Sequence, residues 1–183
     1  MRMDSNAGMS AAEWLANVRE DELKKVLYEY GEERFAPRIT KKIIESRVSS
    51  PLKTTSDLAA LVTQVLPKTY SKKHPATKTF QAIRIYINDE LNQLESALKG
   101  SLEILRSGGR LCVISFHSLE DRIVKRFMKN ASLESEQFRG MPNVPREFQP
   151  KLKIIKKSVK ASIEEIDRNI RSRSAVLRVS EKV

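Results

Sequence analysis

The stretch Ser115-Phe116-His117-Ser118-Leu119-Glu120-Asp121-Arg122 gathers an imidazole, two hydroxyls, two carboxylates and a guanidinium within eight residues. A short apolar run with β-branched residues, Leu111-Cys112-Val113-Ile114-Ser115-Phe116, leads into it from Gly108-Gly109. That run predicts a buried strand, of the kind found in a parallel sheet with both faces covered. Ser118-Leu119-Glu120-Asp121 reads as a capping box opening a helix. In open α/β sheets ligands bind beyond the carboxyl ends of strands, where a helix start offers amides to an anion. His117 and Ser118 fall at that end and are candidates to meet a substrate. A plainer reading gives Ser118 the role of helix cap, Asp121 that of its partner, and His117 that of a loop residue. His74-Pro75-Ala76-Thr77 holds the other histidine. Two histidines and one cysteine supply too few soft ligands for a zinc site, so no metal is expected. No nucleophile elbow, P-loop or Gly-rich dinucleotide turn is present in the sequence.

The elements that position these residues change character along the chain. Residues 10–100 read as helical. Ser10-Ala11-Ala12-Glu13 is a capping box, followed by apolar residues at helical spacing to Tyr30, with Gly31 as the stop. Phe35, Ile39, Ile43 and Ile44 mark a third segment, and Thr54-Thr55-Ser56-Asp57 opens a fourth that Pro67 closes. The polar stretch from Thr69 to Pro75 reads as a linker. Phe80, Ile83, Ile87, Leu91, Leu94 and Leu98 form one stripe, predicting a long helix that continues, or restarts after Gly100, through Leu102 and Leu105 and ends at Gly108-Gly109. Beyond the strand and helix of 111–128, residues 131–150 read as a surface loop. Two more strands are expected, Leu152–Val159 and Ser174–Val179, with a single helical turn capped by Ser162 between them. Three strands are few for a sheet. Part of a sheet is therefore expected to be absent, leaving an apolar edge open to aggregation or to a second copy in a homodimer.

The bulk numbers bound the partners. With 34 Lys+Arg against 23 Asp+Glu, the formal net charge of +11 favours an anionic partner, nucleic acid ahead of a membrane surface. No apolar run is long enough to span a membrane and no signal peptide is seen. The lone Cys112 suits a reducing cytoplasm. Lys151, Lys153, Lys156, Lys157 and Lys160 crowd one strand, as edge protection or as phosphate contacts. Arg168, Arg171, Arg173 and Arg178 admit the same two readings, with RNA favoured.

Several motifs together resemble one family. Met1-Arg2-Met3-Asp4 resembles the end of a Pro-Leu-Asp-Met-Arg-Met-Asp motif; Ser10 to Leu15 and Tyr30 to Ala36 resemble a helical insert. His74-Pro75-Ala76-Thr77-Lys78-Thr79-Phe80-Gln81-Ala82-Ile83-Arg84, Gly108-Gly109-Arg110-Leu111 and Ser115 to Lys125 are the most specific matches, and Arg171 to Arg178 resembles a final strand. The family is the bacterial S-adenosylmethionine-dependent rRNA cytosine-N4 methyltransferases (RsmH/MraW). The resemblance implies a class I, Rossmann-like methyltransferase sheet with an inserted all-α domain. Its expected division is 1–4 as the end of an N-terminal motif, 5–72 as the helical insert that recognises substrate, and 73–183 as the C-terminal methyltransferase portion. The implied reaction is methylation of a cytidine N4 in 16S rRNA, with S-adenosyl-L-methionine as cofactor and the small ribosomal subunit as partner. Asp4, His117 and Ser118 are then expected near the base. Arg2, Lys78, Arg84, Arg122, Lys125, Arg171 and Arg173 are expected on RNA phosphates. The family's Gly-rich cofactor loop and ribose-binding acid precede Met-Arg-Met-Asp, so Met1 reads as an internal methionine and the chain alone as inactive. Ile170 departs from the family's Asn-Pro-Arg and puts that local turn in doubt. The alternatives from other classes are a non-enzymatic RNA-binding helical module and a protein-interaction domain.

Overall fold

The computed structural model describes residues 1–183 apart from 5, 7, 68–73, 135, 139–144, 146 and 147. The linker expected from Thr69 to Pro75 and much of the loop expected over 131–150 lie outside the described residues. Two compact units divide the chain, Met1–Glu90 and Leu91–Val183.

The first unit is helical: α1 (Ala11–Asn17), α2 (Glu20–Glu29), α3 (Ala36–Ser49), α4 (Thr55–Val65) and α5 (Thr77–Ile87). The capping boxes are where the sequence places them. Ser10 Oγ accepts from the Glu13 amide at 3.2 Å while Glu13 accepts from the Ser10 amide at 2.7 Å. Thr54 and Asp57 repeat the arrangement at 3.1 and 2.8 Å. The apolar stripes of all five helices meet in one core built on Trp14, Leu23, Leu27, Ile39, Ile43, Leu58, Val62 and Ile83. Gly31 sits where α2 meets α5. A Cβ there would lie 2.7 Å from the Leu27 carbonyl oxygen and 2.8 Å from that of Lys78. Its role is close approach, and the left-handed residue that turns the chain is its neighbour Glu32, at φ 47°.

The long helix expected from Phe80 to Leu105 is two helices, α5 and α6 (Glu90–Ile104). Asn88 caps α5, its side-chain amide donating to the Arg84 carbonyl at 2.8 Å, and Asp89 takes φ 50°. Asn and Asp are the residues that tolerate such a break. The apolar spacing hides it because Ile87 and Leu91 remain four apart. Gly100 lies inside α6 without interrupting it.

The second unit places β1 (Arg110–Ser115), α7 (Ser118–Ala131), β2 (Leu152–Lys160), α8 (Ile163–Arg168) and β3 (Val176–Lys182) after α6. Three strands occur where expected, but the sheet is not the parallel one predicted. Its order is β1-β3-β2, and β3 runs antiparallel to both neighbours. β1 and β2 are parallel to each other, joined across α7, and β3 is slotted between them. The expectation of a strand buried on both faces fails as well. Leu111 and Val113 pack with Leu98, Val124, Met128 and Leu152, whereas Cys112 is exposed and Ile114 is 58% exposed. An apolar run cannot by itself tell a strand covered on two faces from one covered on a single face. β2 carries two bulges, between Ile154 and Lys156 and between Lys156 and Val159. Bulges and exposed lysines are features that keep an edge strand from pairing with another chain. No helix among the described residues is long and apolar enough to cross a membrane.

Candidate active-site turn at the end of β1

β1 ends at Ser115 and α7 begins at Ser118, so Phe116 and His117 make the whole turn. The capping box lies one residue earlier than the spacing of Ser118 and Asp121 indicates. His117 is the N-cap and Glu120 its partner; Ser118 is the first helical residue. Glu120 Oε2 accepts from the Phe116 amide at 2.8 Å and the His117 amide at 3.3 Å. His117 Nδ1 accepts, at a long 3.4 Å, from the Glu120 amide. With Nδ1 accepting, the neutral ring carries its proton on Nε2, which lies 3.2 Å from Glu120 Oε1 without hydrogen-bond alignment. His117 is therefore no plain loop residue. Its ring closes the helix start, a role for which a hydroxyl or carboxylate is the usual choice.

Burial works to raise the Glu120 pKa, but the His117 ring and the Phe116 amide outweigh it and hold the carboxyl below its ordinary value. Asp121, released from capping, pairs with Arg178. Arg178 Nε lies 2.7 Å from Asp121 Oδ1 and Nη2 lies 2.8 Å from Oδ2, a bidentate contact. The Arg178 guanidinium, then burial opposing it, then the Ser115 hydroxyl set the Asp121 carboxyl below the usual range. Arg178 is thus a partner of this turn, its side chain only 12% exposed. Spacing could not mark the two as a pair, since 57 residues separate them. Phe116, 55% exposed, offers an aromatic face beside His117 on which an unpaired base could stack.

The other candidates are distributed between the units. His117, Ser118, Arg122, Lys125, Arg171 and Arg173 belong to the second; Arg2, Asp4, Lys78 and Arg84 belong to the first. Asp4 is exposed and accepts from the Asn6 amide at 2.8 Å. Arg2 donates to the Gly8 carbonyl at 2.8 Å and Lys78 to the Glu32 carbonyl at 2.9 Å. Arg84 forks onto Glu90 at 2.8 and 2.9 Å, so its guanidinium is engaged in an ion pair. His74 closes the start of α5, its Nδ1 accepting from the Ala76 amide at 3.2 Å. Arg122 and Lys125 are exposed on α7, and Arg126 and Lys129 share their face. The last two escaped the sequence reading although their spacing of four and seven from Arg122 places them there. Arg171 and Arg173 are exposed in a 3-10 turn, Ile170–Ser174.

The ribosomal RNA small subunit methyltransferase H of Hamiltonella defensa is 49% identical over 187 residues, covering 100% of this chain and 60% of the relative. Those of Marinomonas sp. and Methylococcus capsulatus are 50% identical over 183 residues and 51% over 182, covering 59% and 60% of the relatives. The chain thus spans about 60% of the length of the curated relatives it matches. The turn just described lies within a family match that runs over residues 1–183 without interruption, and on that match the chain belongs to the MraW methylase family.

Proposed function

We propose that this chain is the substrate-facing part of an S-adenosylmethionine-dependent methyltransferase acting on the N4 amine of a cytidine in small-subunit (16S) rRNA in the cytoplasm. The observation that carries the reading is the family match over the whole chain, with relatives named for small-subunit rRNA methylation. The exposed cations of α7 and the net charge of +11 supply what an RNA backbone requires. Asp4, His117 and Ser118 are the proposed polar contacts to the base, with Phe116 next to His117 in the chain. Arg122, Lys125, Arg171 and Arg173 are the proposed phosphate contacts, joined by Arg2, Lys78 and Arg84 where RNA displaces their present partners. Residues 5–72 are the proposed RNA-recognition insert, and 73–183 the proposed methyltransferase portion. Methylation of an exocyclic amine asks the protein for orientation and polar contacts more than for a covalent nucleophile.

The described residues do not fit the cofactor. Gly108 and Gly109 precede β1, and no described glycine forms a turn directly after a strand, where backbone amides would cradle it. The proposal includes that these 183 residues alone neither hold S-adenosylmethionine tightly nor turn over. Calorimetry with S-adenosylmethionine and methyl transfer to undermethylated small subunits test it. Micromolar binding or turnover by the purified chain would overturn that part. RNA binding that survives with no methyl transfer under any complementation would favour the non-enzymatic module, a reading supported by the self-contained core of the helical unit.

A further inference from the structure

The hydrogen bonds from the Phe116 and His117 amides to Glu120, and from the Glu120 amide to His117, run between residues no more than four apart. They fix its shape but not its place on the sheet. A different contact supplies that. Arg178 stands opposite Val113 of β1, and its side chain is only 12% exposed. Between the pairs Lys156–Val179 and Val159–Leu177, the two β2 residues Lys157 and Ser158 face Arg178 alone. Such a bulge takes a carbonyl out of the ladder, and Arg178 Nη1 donates to the carbonyl of Lys157. The other edge of the guanidinium forks onto Asp121 in the first turn of α7, and Asp121 Oδ1 also faces the Ser115 hydroxyl at 3.3 Å. One planar group therefore joins β2, β3, the end of β1 and the start of α7. An ammonium lacks the fixed fork to do this.

We propose that Arg178 and Asp121, with the β2 bulge behind them, are positioning residues that set where the Phe116–His117–Ser118 turn points. That the turn faces an RNA base rests on the function proposed above; that the pair aims the turn is tested without it. Arg178→Lys and Asp121→Asn are compared with the unaltered 183-residue chain by amide hydrogen exchange and by the imidazole NMR signals. The sequence holds two histidines, so His74→Gln assigns the His117 ring. The expected result is exchange at least about tenfold faster at the Phe116, His117 and Glu120 amides, over and above any loss at Val113, Leu177 and Met128, with a broadened His117 ring signal. Asp121→Glu, which retains the fork's charge, recovers part of the protection. Equal loss at turn and strands, an unchanged turn, or failure of both variants to fold would each overturn the proposal, since the pair would then serve general stability or nothing local. Methyl transfer does not enter this readout, so failure of the functional reading leaves it standing and its own failure leaves that reading untouched.

Discussion

Two residues show how a single atom's surroundings decide its tolerance. Gly31 has backbone carbonyls where a Cβ would go, and backbone cannot swing aside as a side chain can. Gly31→Ala is expected to cost about 2 kcal/mol or more by overpacking, read as a lower melting temperature of the helical unit; an unchanged melt would mean that α2 and α5 part freely. Asp121 makes a pH-dependent contribution. Its carboxyl is held below the usual range when folded, chiefly by Arg178, so the stabilisation is complete above the unfolded value of about 3.9 and fades as pH falls through the folded one. Asp121→Asn should cost about 2 kcal/mol near neutrality, the scale of hydrogen bonds to a charged group. The gap in melting temperature from the unaltered chain should hold down to about pH 5 and close below about pH 4. A gap that stays constant into strong acid would show that the carboxylate charge contributes nothing.

At the scale of elements, α7 joins two tasks. Val124 and Met128 face the sheet and are fully or almost fully buried. The opposite face carries Arg122, Lys125, Arg126 and Lys129, all exposed. Cations along one helix face at this spacing can track a phosphate backbone, and each phosphate contact adds about one to the log–log salt slope of binding. Lys125→Gln with Lys129→Gln should therefore weaken binding to structured RNA and lower that slope by about two, measured by filter binding over a salt series. An unaltered slope would remove α7 from the RNA interface. The same helix shows where spacing misled. Ser118 and Asp121 have capping-box spacing, but the box formed is that of His117 and Glu120, and Asp121 binds Arg178 instead.

For the whole molecule, the two edges of the sheet are treated in opposite ways. β2 has bulges and lysines, whereas β1 keeps a regular register and exposes Cys112 and Ile114. An unprotected apolar edge invites pairing with another chain, while a net charge of +11 resists it. Salt decides between the two, because at physiological ionic strength repulsion is screened beyond about 8 Å. The chain is expected to self-associate with rising concentration and salt in sedimentation velocity, and Ile114→Lys to hold it monomeric. A monomer independent of both would show the β1 edge to be inert.

The sequence by itself determined the elements whose signals are local. Capping boxes at Ser10 and Thr54, the short helix capped by Ser162, the stripes of α1 to α4 and the three strand positions all depend on residues within a few places of one another, and each was legible. The family was legible too, since motifs such as that from Ser115 to Lys125 carry it in sequence order. What only the tertiary structure decided involves partners far apart in the chain or an ambiguity in period. β3 entering between β1 and β2, and so turning the expected parallel sheet antiparallel, depends on pairings some 70 residues apart, such as Arg110 with Glu181. Whether a strand is covered on one face or two depends on which helices arrive, not on its own residues. The break at Asn88 and Asp89 was masked because the apolar stripe keeps its spacing across it. Arg178 looked like one more surface cation until a bulge on β2 and a carboxylate on α7 gave its fixed fork three acceptors at once.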